Sequence, residues 1–240
     1  MFTYDLALLA SVQAIPQSIP DVLQALGTID TTCADDDGLK WFNWLYLQVT
    51  QAVEARVAAG GFADPVWLAQ LDVQFASLYL SALQAGLAGS RTPGCWRIVL
   101  DARSQRSIAR IQYAMAGINA HINHDLPAAI VATCLVTNTA PDWGGTNYWD
   151  YTALNSTLDS LINAAKATLM VRLPGDALPP VSHLEDTIAA WNVSAARESA
   201  WRSAEHLWQL RAVPALASSY LDMLDGFAQQ LCARHRMRLR

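Results

Sequence analysis

Asp37-Gly38-Leu39-Lys40-Trp41-Phe42-Asn43-Trp44-Leu45-Tyr46-Leu47-Gln48-Val49-Thr50 is the run from which the architecture follows. Asp35-Asp36-Asp37 supplies an N-cap, and no glycine or proline interrupts the chain after Gly38 until Gly60-Gly61, so the pattern predicts a helix from about Gly38 to Ala59. Trp41, Phe42, Trp44, Leu45, Tyr46, Leu47 and Val49 leave it apolar almost all round, with Asn43 and Thr50 as interruptions. A helix without a wide polar face must be covered on several sides, which puts this one in the middle of a bundle.

Working outward, Ser18-Ile19-Pro20-Asp21 opens a short upstream helix that Gly27 is expected to close. Downstream, Asp64-Pro65 is a cap followed by a proline at the first helical position, and the next helix runs to about Leu87. Its apolar stripe is Leu68, Leu71, Phe75, Leu78, Tyr79 and Leu83, and Asp72 falls inside it. A carboxylate on a core face must be hydrogen-bonded or paired, or its pKa rises. Arg197 is the expected partner, since Arg197, Trp201, Ala204 and Trp208 recur at helical spacing on another apolar face.

A long helical pattern spans Ser107 to Cys134, Pro141-Asp142-Trp143-Gly144-Gly145-Thr146 reads as a loop, and a further helix runs from about Tyr148 to Val171. Leu173 to Pro180 reads as a linker or lid, and two last helical patterns follow, the second begun by Pro214. No strand alternation and no fixed-period repeat interrupt the series. The expected fold is all-α, one domain over residues 1–240, built from about seven helices.

Composition narrows the function. With 240 residues, 52% hydrophobic and 15% charged, the chain can bury a large core. The net charge of -5 and the lack of a lysine or arginine stripe argue against nucleic acid; only Arg234 to Arg240 is basic, as a solvated tail. The apolar run Leu6 to Ala10 follows Asp5 with no basic segment before it, unlike a signal peptide, and no apolar stretch approaches the ~20 residues of a membrane span. Cys33, Cys95, Cys134 and Cys232 are widely spaced, which suits reduced thiols and a cytoplasmic protein better than a disulfide frame or zinc ribbon.

The chemistry concentrates in Ala120-His121-Ile122-Asn123-His124-Asp125-Leu126-Pro127. At about 100° per residue, His121 and Asp125 share a face one turn apart with His124 beside them, while Asn119 and Asn123 project from the far side. Pro127 lacks an N–H and its ring collides with the carbonyl of Asn123, so the helix must kink or restart after Asp125. Gly117 is expected to leave room one turn above His121. A working site and a satisfied buried network both fit these facts.

Asp37-Gly38-Leu39, Phe42-Asn43, Leu45-Tyr46-Leu47 and Val49-Thr50, then Leu71-Asp72-Val73, Phe75-Ala76 and Tyr79-Leu80, then Gly117 to Pro127, then Ala196-Arg197 and Ala200-Trp201, together resemble the domain-of-unknown-function family 5995. That resemblance implies a helical protein found mainly in microbes, without an assigned reaction, and draws attention to Asn43, Asp72, His121, His124, Asp125 and Arg197 as a set. His121-x-x-x-Asp125 followed by Pro127 is also similar, more weakly, to the helical zinc hydrolases of the phospholipase C and P1 nuclease kind. Those enzymes need further His and Asp ligands and an N-terminal tryptophan, whereas this chain offers only His183, His206 and His235 besides and starts Met1-Phe2.

Three functions follow as expectations. The first is a cofactor-independent enzyme for a small, largely apolar molecule, with His121, Asp125 and His124 as acid/base groups and Asn43, Tyr46, Asp72, Tyr79, Trp143, Arg197 and Trp201 around the substrate. Cyclisation, isomerisation, elimination or hydrolysis would fit equally. The second is a hydrolase using a divalent metal on His121, Asp125 and Asp72, with His124 as another candidate ligand. The third is a non-catalytic bundle enclosing an apolar ligand, with Trp44, Trp143, Trp149 and Trp201 as candidate cavity walls.

Overall fold

The run after Asp37 forms α3 (Gly38–Ala58), and the Asp37 carboxylate caps it by accepting the Leu39 N–H at 3.0 Å. The same carboxylate is fully buried, because Arg103 places Nε 2.9 and 3.1 Å from its two oxygens and Tyr4 adds a hydroxyl at 3.0 Å. Arg103 also reaches Asp5 at 3.0 Å, so a single cap residue fastens the N-terminal segment and a distant helix end to the start of α3.

The computed structural model describes residues 2–170 and 192–237, and the regular elements among them are all helical. Before α3 come α1 (Asp5–Ser11) and α2 (Ile19–Thr32), and after it α4 (Pro65–Leu87), α5 (Gly94–Ala102) and α6 (Arg110–Ala120). A π-helical turn, His121–Asp125, leads directly into α7 (Leu126–Val136), followed by α8 (Thr146–Ala153), α9 (Asn155–Leu169), α10 (Val193–Leu210) and α11 (Pro214–Met237). The bundle packs α3 against α2 and α6, α7 against α4 and α10, and α11 across α5 and α6. Phe42, Trp67, Tyr79, Trp96, Tyr151 and Trp201 fill its interior. No helix of the described residues is long and apolar enough to cross a membrane.

The all-α bundle expected from the sequence is present, with more and shorter helices than seven. The N-terminal apolar run is itself a helix, and α2 continues through Gly27 to Thr32 instead of stopping there. α5 has no capping side chain of its own: Asp225 of α11 accepts the N–H groups of Gly94 and Cys95 at 2.8 and 2.9 Å. The helix read from Tyr148 to Val171 breaks after Ala153, where Arg197 Nη2 takes the Tyr151 carbonyl at 2.8 Å and Arg56 Nη1 takes that of Ala153 at 2.7 Å. Cations at a helix C-terminus complement its exposed carbonyls, so both arginines stabilise the break. The linker read at Leu173–Pro180, His183 and the last three residues lie outside the described residues.

All four cysteines are buried and unpaired. Gly117 does not leave a void: a Cβ built there would lie 2.3 Å from Cγ of Phe42, so the missing side chain is what lets α3 approach α6. The prediction is that Gly117→Ala destabilises by ~1–3 kcal/mol, the usual cost of overpacking a filled core. Urea unfolding of the variant at the wild-type midpoint would sink this reading.

Candidate functional site

Pro127 sets the local geometry. It sits in the first turn of α7 where no N–H is needed, and the turn before it widens so that the Leu126 N–H bonds the carbonyl of His121, five residues back. The helix therefore runs on without a restart, with one residue inserted. Such π turns recur at functional sites because they re-aim side chains within an otherwise regular helix.

The result is a buried carboxylate with three donors. Asp125 Oδ2 lies 2.8 Å from His121 Nδ1 and 2.9 Å from Trp96 Nε1, and Oδ1 lies 2.6 Å from His124 Nδ1. Burial alone would raise the Asp125 pKa, but the hydrogen bonds from His121 and His124 outweigh it and hold the carboxyl below its ordinary value. An ionised carboxylate only accepts, so each histidine presents Nδ1–H to it. On the far side Asn119 fastens α11 through the Ala228 carbonyl at 2.9 Å, and Asn123 bonds Asn119.

The two histidines differ. Burial drives His121 below the ordinary histidine value despite Asp125, because its ring is 3% exposed and boxed by aromatics. Phe75 stacks on it with centroids 3.4 Å apart and planes 6° apart, and Tyr46 meets it edge-on at 4.7 Å. His124 is also penalised by burial, but Asp125, with Asp225 and Asp222 of α11 behind it, raises its pKa. Of the two rings, His124 is therefore disposed toward the charged form and His121 toward the neutral one.

In that neutral tautomer His121 Nε2 is an acceptor, and it is buried with no hydrogen-bond partner. His121 forms part of the wall of a cavity of about 70 Å³ whose other walls are nearly all apolar, among them Phe42, Leu45, Ile118, Leu158, Ile162 and Val193. A second void of about 50 Å³ adjoins it, lined by Leu68, Leu71, Asp72 and Leu154. Tyr46, Val49, Phe75, Leu158 and Arg197 line both. Asp72 Oδ2 is likewise buried without a hydrogen-bond partner.

Of the residues singled out in the sequence, His121, Tyr46, Asp72 and Arg197 meet at these voids, and Asp125 and His124 stand behind His121. Asn43 does not: its amide donates to the Leu26 carbonyl at 2.8 Å and its oxygen accepts from Tyr79 at 3.3 Å, joining α3 to α2 and α4. Trp201 is buried among Trp67, Tyr148 and Tyr151, away from both voids. Trp143 and Trp149 are more than half exposed, and Trp44 packs in a separate core cluster.

The expected Asp72–Arg197 ion pair is absent. Arg197 instead binds Asn155 Oδ1 at 2.8 Å and the Tyr151 carbonyl, with its guanidinium 3.9 Å above the Tyr151 ring, because the break between α8 and α9 offers free oxygens. Among the described residues no three His, Cys, Asp or Glu side chains gather as a metal site, so the set His121, Asp125 and Asp72 is not brought together as one. Trp96, Phe75 and Phe42 were not expected at the site, although each stands in the sequence as an aromatic residue of a helical segment.

An all-helical bundle with an enclosed, aromatic-boxed His/Asp pair is the class this geometry defines. The chain belongs to the family of unknown function DUF5995, whose model matches residues 19–234. No curated protein and no solved structure matches it.

Two predictions arise here. Burial, with repulsion from Glu54, pushes the Asp72 carboxyl up to about 7. A carboxyl raised on folding contributes its stability fully below its unfolded value and loses it as pH rises through the folded one. Wild-type protein should therefore weaken between about pH 4 and 7, by up to ~4 kcal/mol at 1.36 kcal/mol per pKa unit, and Asp72→Asn should flatten that slope. Equal urea midpoints for the two proteins at pH 8 after equal midpoints at pH 5 would contradict it. Second, nitrogen NMR should show His121 Nε2 unprotonated down past the ordinary histidine value of ~6.5 while His124 remains protonated above it; the reverse assignment would overturn the division of charge.

Proposed function

We propose that the cavity beside His121 is an acid/base active site for a small, largely apolar molecule. The observation that carries this reading is the orphaned His121 Nε2: a neutral imidazole nitrogen without a partner, aligned from behind by an ionised carboxylate and set in an apolar wall. A base in that state accepts a proton from a bound C–H or O–H group, and Asp125 stabilises the imidazolium that forms. The apolar walls exclude bulk water, which strengthens the His121–Asp125 interaction at the moment of charge transfer.

Proton transfer at a carbon acid is the step common to isomerisation, elimination and cyclisation, and it requires no group beyond those present. A non-catalytic ligand-binding role is the second reading, favoured by the almost wholly apolar lining. The metal-hydrolase alternative has no assembled ligand set among the described residues.

Exchange of the α-hydrogens of acetone in heavy water, followed by proton NMR, separates the first two readings. Wild-type protein should accelerate exchange, and His121→Phe, which keeps the ring stacked on Phe75, should lose at least ~10²-fold of it, the lower range for general acid–base catalysis. Rates are compared per folded molecule, since a buried Asp125 that loses a donor costs stability as well. Equal exchange in both proteins overturns the proposal, and binding without exchange favours the second reading.

A further inference from the structure

Among the described residues, Arg197 is a buried cation without a counterion. It is 5% exposed, and the groups it binds, Asn155 Oδ1, the Tyr151 carbonyl and the Tyr151 ring, are neutral. Among the described residues it makes no ion pair, although its neighbour Glu198 pairs with Arg202. Those partners fix the guanidinium in place and leave its net charge uncompensated in a low-dielectric wall, where a buried charge is costly unless it is paired. Asp72, on the adjoining void, does not supply the missing charge, and its Oδ2 has no partner.

Arg197 and His121 line one cavity, with Tyr46 on the same lining and hydrocarbon over most of the remaining wall. A guanidinium presents a planar set of donors that matches a carboxylate or a phosphate, and the largely apolar remainder of the wall favours the singly charged carboxylate. The voids of about 70 and about 50 Å³ are each smaller than the ~150 Å³ that holds benzene in an engineered cavity. The hydrocarbon body that fits is therefore short.

We propose that this cavity binds a small aliphatic monocarboxylate, with its carboxylate on Arg197 and its hydrocarbon chain against Val49, Ile118, Leu158 and Ile162, bringing a C–H group toward His121 Nε2. The inference rests on the reading of the cavity as a substrate site and adds the ligand's charge and size. It also gives the two orphaned elements complementary tasks: the arginine orients one end of the molecule and the imidazole meets the other.

The test compares three probes of similar shape on the full chain: propanoate, its neutral isostere propanamide, and propan-1-ol. Binding is read from the methyl resonances of Ile118, Ile162 and Val193. The carboxylate should bind at least ~10-fold more tightly than the amide or the alcohol, as expected for a charge-assisted hydrogen bond replacing a neutral one. In Arg197→Gln that preference should vanish while alcohol binding changes little. Because Arg197 also caps α8 the variant can fail to fold, and the carboxylate-to-amide ratio in wild-type protein then decides alone. Neutral probes binding as well as the carboxylate would overturn the monocarboxylate assignment and leave the cavity reading standing. Silence of all three methyl groups toward every probe would overturn both.

Discussion

Asp125 is a carboxylate shut away from water with three N–H donors aimed at it, and the middle of the bundle is arranged so that they reach it. An ionised group that is 1% exposed survives only where hydrogen bonds replace its hydration. Two of the donors come from the π turn itself and the third, Trp96, from α5. α5 is in turn held by Asp225 of α11, and α11 by Asn119 on the opposite side of the helix that carries the histidines. The carboxylate, the helix that contributes its tryptophan and the helix that anchors that helix form one closed circuit of polar contacts inside an otherwise apolar interior.

That circuit explains why the two histidines do different things despite being three residues apart. Oδ1 and Oδ2 face different surroundings: one points toward the acidic residues of α11, where a positive ring is favoured, and the other toward the ring of His121 among Phe42, Tyr46 and Phe75, where charge is not. One carboxylate therefore favours the charged ring on one side and the neutral ring on the other.

Much of this was legible in the residues. Caps at Asp37 and Asp64, the apolar periodicity and the concentration of His121, His124 and Asp125 ahead of Pro127 pointed to an all-helical fold and to the cluster at its centre. What escaped was whatever depends on a partner distant in sequence. α5 carries its cap on α11, 131 residues away, so nothing in its own sequence announces a helix start. The break between α8 and α9 is stabilised by Arg56 and Arg197, each from another helix. The Asp72–Arg197 pairing failed for the same reason: two charges on apolar faces suggest each other, yet free carbonyls at a helix end were nearer to the arginine than the carboxylate was. Gly117 shows the complementary error, since a missing side chain marks a close approach as readily as an open space.

The four cysteines distribute themselves in a way that has a use. Cys33 closes α2, while Cys95, Cys134 and Cys232 lie in α5, α7 and α11, and all four are free thiols. Burial pushes the Cys33 thiol up to about 12 and that of Cys232 up to about 11, so the reactive thiolate is scarce in the folded chain. Each sulfur becomes reactive only when its own helix lifts from the bundle. The native protein thus carries four built-in reporters of local opening, one on the edge of the N-terminal region, one on the helix that supports Asp125, one on the helix after the π turn and one on the terminal clamp, and the order in which they meet a thiol reagent is the order in which the bundle comes apart.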